Sequence, residues 1–235
     1  MRTIKILSIL LVVALLVPLA GCQKAGGGTI KIGVIAPMTG DVKTFGDSTL
    51  KGVQLAVEEW NKKGGVLGKQ IEIVQADDKN DPAEATNAAT KLIKQDKIKY
   101  IVGSVASKCS IPISVLANDS KVVQISGTST NEKLTVDPWP NGKRKEYVFR
   151  ACFIDELQGP AMANFALQNL KAQKAAIFYD NGNDYVKGLA STFKAAFEKG
   201  GGKVTVYEAY SEKDSDFSAL LTKVMAGAPD LLYIP

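Results

Sequence analysis

From residue 29 onward the chain alternates short apolar runs with stretches whose apolar residues recur at helical spacing. "TIKIGVIAP" predicts a buried strand. "STLKGVQLAVEEWNKKGG" places Leu50, Val53, Val57 and Trp60 on one helical face, and Gly64-Gly65 ends it. "KQIEIVQADD" alternates as a strand does. In "DPAEATNAATKLIKQD", Asp81 stands as an N-cap and Pro82 at the first helical position, where its missing N–H costs nothing. "IKYIVGS" and "VVQIS" predict two more strands around a helix over residues 107–118. Residues 131–146, "NEKLTVDPWPNGKRKE", break the rhythm with two prolines and a charge run and read as a loop. Alternation then resumes through "YVFRACF", "QGPAMANFALQNL", "KAAIFYD", "YVKGLASTFKAAFEKGG", "KVTVYEAY", "DFSALLTKVMAG" and "DLLYIP". Strand–helix–strand repetition implies right-handed crossovers and mostly parallel sheets. The expected fold is α/β, with two lobes: residues 29–150 and 151–235.

Two strands end alike. After "VVQI" come Ser126, Gly127, Thr128, Ser129 and Thr130; after "YIV" come Gly103, Ser104, Ser107 and Ser110. In open α/β sheets, ligands sit beyond the carboxyl ends of the strands. There glycine permits close approach, hydroxyls both donate and accept, and a helix N-terminus attracts an anion. Ser107, opening a helix, is placed to hold a carboxylate. Each stretch by itself is equally well a turn and a helix cap.

The N-terminus bears on location. Arg2 and Lys5 precede an apolar run over residues 6–19, too short to span a bilayer and suited to a secretory leader. It ends in "LAGC", which resembles a bacterial lipobox. That resemblance implies removal of residues 1–21, a lipid on the Cys22 sulfur, and an extracytoplasmic chain anchored to a bacterial membrane by a tether over residues 22–28. A buried helix or an ordinary leader is the alternative. The formal charge of +5 is scattered, so nucleic acid is not suggested. "KRK" at 143–145 reads as a solvated loop or, less simply, a site for an anionic partner. There is no histidine, which excludes Ser-His-Asp and Cys-His catalysis and the ordinary zinc and haem sites. Cys109 and Cys152 either pair or stand as separate buried thiols. "GGVLGKQ" at 64–70 is not a phosphate loop: Lys63 occupies the first glycine position, Gln70 replaces the Ser/Thr, and the segment runs from helix to strand. No enzyme is expected.

Taken in order, "IKIGVIAPMTGDVKTFGDSTLKGVQLAVEEWNKKGGVLGKQIEIVQADDKNDPAEA", "GSVASKCSIP", "ISGTSTNEKLT" and "YVFRACFIDELQGPAMANFA" resemble the branched-chain amino acid-binding family. Its members are substrate-binding proteins of ABC importers with the type I periplasmic binding protein fold. The resemblance implies that Ser107 holds a ligand carboxylate and that Thr128 and Thr130 serve carboxylate and amine. It implies that Phe45 walls the side-chain pocket and that Tyr185 closes over it from the second lobe. Phe45 as core and Tyr185 as a surface aromatic are the plainer readings. A disulfide of some relatives falls on Asn80 and Ala106, so it cannot form. The family's acid for the ligand ammonium falls past residue 235, and the chain is therefore expected to belong to a longer reading frame. The implied partners are an amino acid, a transporter permease and, through Cys22, the membrane. The protein is expected to be a monomer without cofactor or metal. The alternatives are another ligand on the same scaffold (an amide, urea or an aromatic acid) and an extracellular sensing domain.

Overall fold

The computed structural model describes residues 28–138 and 140–235. The expected leader, Cys22 and nearly all of the tether lie outside the described residues. No described helix is long and apolar enough to cross a membrane.

The elements run β1 (Thr29–Ala36), α1 (Lys43–Lys62), β2 (Gln70–Asp77), α2 (Pro82–Lys94), β3 (Tyr100–Gly103), α3 (Ser107–Asp119), β4 (Val123–Ser126), a 3₁₀ turn (Glu132–Leu134), β5 (Val136–Asp137), β6 (Lys143–Arg144) and β7 (Val148–Arg150). They continue through α4 (Asp155–Gln168), β8 (Lys174–Asp180), α5 (Asp184–Lys199), β9 (Lys203–Tyr210), α6 (Ser218–Gly227) and β10 (Leu231–Tyr233). One sheet has the order β2-β1-β3-β4-β7 and the other β10-β8-β9. The registers of β1 with β3, β3 with β4, β4 with β7, and β8 with both neighbours are parallel, as crossover helices require. Asp81 caps α2 as expected, its carboxylate accepting from Ala83 N at 2.8 Å and Glu84 N at 3.0 Å.

Each of the two larger sheets has its own core. In the first, Ile35, Leu92, Ile98, Ile101, Ile113 and Val122 pack between the sheet and the α2–α3 pair. In the second, Ile177 of β8 packs with Phe193 and Phe197 of α5 and with Ala163 and Ala166 of α4, and Phe193 stacks on Tyr233 with ring centroids 4.0 Å apart. A smaller cluster of Ala176, Phe178, Val206 and Val224 covers the other face. Burying one such large side chain stabilises the fold by about 1.5–3 kcal/mol. A separate compact unit joins residues 28–30 with Val57–Glu72. Within it, the Asn61 amide donates to Ile71 O at 2.9 Å and accepts from Ile71 N at 2.7 Å.

Three expectations need correction. Helix α1 starts before Ser48, and Trp60, placed on its apolar face, is exposed. Residues 131–146 are not plain loop, because β5 and β6 form a short antiparallel ladder there. "KRK" is not wholly solvated: Lys143 and Arg144 are exposed, whereas Lys145 is buried. Its ammonium donates to Ser114 Oγ at 2.8 Å, Lys133 O at 2.9 Å and Leu134 O at 3.3 Å. Cys109 and Cys152 are free thiols, and burial pushes the Cys109 thiol up to about 12.

Candidate functional site

The hydroxyl-rich strand ends lie side by side because β3 and β4 are parallel neighbours. Most of those hydroxyls bind the two ends to each other. Ser110 Oγ and Ser126 Oγ both donate to Ser104 O, at 2.8 and 2.9 Å. Ser129 Oγ contacts Ser110 Oγ at 2.6 Å, and Ser104 donates to the buried Asp78 carboxylate. The Gln124 amide, fully buried, donates to Gly103 O at 2.9 Å. Gly103 is required here, since its φ of +120° and the adjacent Ile35 carbonyl leave no room for a side chain.

What this network supports is a cavity of about 320 Å³, lined by Phe45, Val105, Ala106, Ser107, Thr128, Thr130, Phe153, Gln158, Asn183 and Tyr185. The structure thus brings all five expected side chains, Phe45, Ser107, Thr128, Thr130 and Tyr185, to one place. Phe45 is 62 % exposed and so is a wall of the cavity, not core. Tyr185 is half-buried in the first turn of α5, whose cap Asn183 accepts from Tyr185 N at 3.1 Å. Sequence reasoning missed Phe153, Asn183 and Gln158. The signal available for Gln158 was its place in the first turn of a helix after a strand end.

The polar groups are unequally free. Thr128 Oγ1 donates to Val105 O at 2.8 Å, so what it offers a ligand is its lone pairs. The Thr130 carbonyl accepts Asp155 N at 3.1 Å, while its buried hydroxyl makes no hydrogen bond of good geometry. Ser107 opens α3 behind Ala106, a cap residue with no side chain to satisfy the first-turn N–H groups. Those amides and the helix dipole favour an anion. None of the lining side chains carries a formal charge. An apolar wall of two phenylalanines with a few convergent polar groups suits a small, partly apolar ligand.

Just behind the lining, Asp155 is completely buried. Burial pushes its carboxyl up to about 6; the Glu132 charge adds to this, and the nearby Thr130 hydroxyl, Asn131 amide and Arg150 guanidinium oppose it. Asn131 Nδ2 donates to Asp155 Oδ2 at 3.1 Å and to Asp184 O at 2.8 Å, linking the loop after β4 to α4 and α5. Burial, aided by the Asp155 charge, also raises the Tyr185 phenol above its usual range. Arg150 fixes the passage between the sheets by donating to Ser129 O at 3.0 Å and Asn131 O at 2.9 Å. A larger cavity of about 510 Å³ beside β7 is lined by Arg144, Lys145 and Arg150, and the last two are already bound to carbonyls. No cluster of potential metal ligands occurs among the described residues.

A family profile described as periplasmic binding protein matches residues 29–234. A curated relative, "Leu/Ile/Val-binding protein homolog 3" of Brucella melitensis, is 38% identical over 213 residues, covering 91% of this chain and 56% of its own length. Among solved structures, a leucine binding protein (LivK) from Thermotoga maritima superposes with a TM-score of 0.79 at 39% identity, covering 88% of this chain and 56% of that one. The branched-chain amino acid transporter substrate binding protein LivJ from Streptococcus pneumoniae, in complex with isoleucine, gives 0.74 at 35% identity, covering 87% of this chain and 56% of that one. The chain therefore spans about half the length of the curated relatives it matches.

Proposed function

We propose, from the premise that the chain belongs to the periplasmic binding protein family, that it captures a branched-chain amino acid outside the cytoplasm and delivers it to the permease of an ABC importer. The observation that carries this reading is the uncharged cavity itself, in which a helix N-terminus, threonine and serine hydroxyls and a phenylalanine wall converge. The carboxylate docks on Ser107 and the first-turn amides of α3. The ammonium group meets the lone pairs of the Thr128 and Thr130 hydroxyls. The branched side chain lies against Phe45 and Phe153, and Tyr185 closes from the second lobe. Charge-assisted hydrogen bonds of this kind contribute about 1.5–3 kcal/mol each.

Closure is favoured only by contacts that exist in the closed state alone. Arg150 to Asp155 is the passage about which the lobes turn. A lipid on Cys22 would hold the protein beside its permease and raise its local concentration. Isothermal titration of the intact, ligand-stripped protein with leucine, isoleucine, valine, urea, an amide and benzoate tests the reading. Saturable binding of at least one branched-chain amino acid is expected. Binding of only urea, the amide or benzoate would overturn it.

A further inference from the structure

The side chain of Gln158 enters the cavity from the first turn of α4, and nothing described above uses it. Its Oε1 accepts from the Tyr185 hydroxyl at 3.5 Å, while its Nε2 is buried without a hydrogen-bond partner. A buried donor left unpaired is costly, so natural structures retain one mainly where something else completes it. Across the same cavity the hydroxyl of Thr130, almost wholly buried, is turned toward the Asp155 carboxylate. The orphaned Gln158 amide, facing this space, points to a ligand that satisfies it. The backbone that presents Gln158 is firmly held: Asp155 N donates to Thr130 O at 3.1 Å, and Glu156 N donates to Glu132 Oε1 at 2.9 Å.

We propose that Gln158 is the second lobe's hydrogen-bond donor to the ligand carboxylate, aimed by Tyr185. An amide N–H needs an acceptor, which an ammonium group cannot be. Because the lining is uncharged and the α3 N-terminus opens into it, the carboxylate is the acceptor the cavity favours. Since Gln158 belongs to one lobe and Ser107 to the other, a carboxylate touching both forms a contact present only on closure. Gln158 thus determines specificity for a free acid over its amide or ester. This inference rests on the amino acid-binding reading above.

The test is isothermal titration of the intact wild type, Gln158→Leu and Gln158→Glu with L-leucine and L-leucinamide. Gln158→Leu is expected to weaken leucine binding about 10- to 100-fold. Gln158→Glu, nearly isosteric, sets a negative charge against the carboxylate. It is therefore expected to lower the leucine-to-leucinamide affinity ratio at least about 10-fold. A merely structural role would weaken both ligands alike and leave that ratio unmoved. An unchanged ratio in Gln158→Glu, or wild-type affinity for leucine in Gln158→Leu, overturns the proposal. Should the wild type bind a different carboxylic acid, the amino acid reading fails, while the same variants titrated with that acid and its amide still decide on Gln158.

Discussion

Replacing Asp155 with asparagine gives a pH-dependent stability change whose size follows from its burial. An unfolded aspartate titrates near its ordinary value of 3.8, whereas in the fold burial raises this carboxyl to about 6. The folded state therefore holds the proton more tightly than the unfolded chain. Below pH 3.8 both states are protonated and the group adds its full favourable share. As pH rises through 6 that share is lost, because the buried carboxyl must ionise. A shift of roughly two units corresponds to about 3 kcal/mol. Asparagine keeps an acceptor for the Asn131 amide and cannot ionise, so it escapes the loss. Urea unfolding followed by circular dichroism, from pH 4 to 7.5, should show the variant gaining on the wild type by about 3 kcal/mol across that interval. A difference constant with pH would refute the claim that Asp155 is buried and ionises reluctantly.

Two further changes probe other parts of the structure. Ser107→Ala removes the hydroxyl at the head of α3 and should weaken binding of a branched-chain amino acid about 10-fold or more by calorimetry, with the melting temperature little altered; unchanged affinity would remove Ser107 from the site. Lys145→Met leaves Ser114 Oγ and the carbonyls of Lys133 and Leu134 without their shared donor, and should cost about 1–3 kcal/mol in urea unfolding. A neutral result there would mean that water reaches those carbonyls.

Several features follow from local physics and were visible in the residues alone. The alternation of strand and helix requires crossovers, and crossovers require parallel sheets, whatever the details of packing. Asp81 followed by Pro82 is a helix start by its own chemistry, and its cap bonds are those of the structure. The glycine and hydroxyl residues after β3 and β4 likewise cluster at the carboxyl ends of two neighbouring strands, as their sequence position requires.

Packing decided the rest. The pattern "VVQIS" reads as a strand buried through its apolar residues, yet Gln124 and Ser126 face inward while Ile125 is 41 % exposed. The period of two is local, but which phase faces the helices depends on the polar network that Gln124 completes with Gly103 and Ser110. Lys145 sits in a charge run that composition assigns to water, and only its tertiary placement against Ser114 of α3 and the carbonyls of Lys133 and Leu134 encloses it. The ionisation of Asp155 and the role of Gln158 are also tertiary properties. Each depends on α4 docking against the loop after β4, which joins groups far apart in the chain and withholds solvent from them. Sequence determines which groups are available and which helices and strands carry them. Tertiary structure determines which of those groups lose water and which find a partner, because desolvation and hydrogen-bond geometry are set by neighbours that no local pattern specifies.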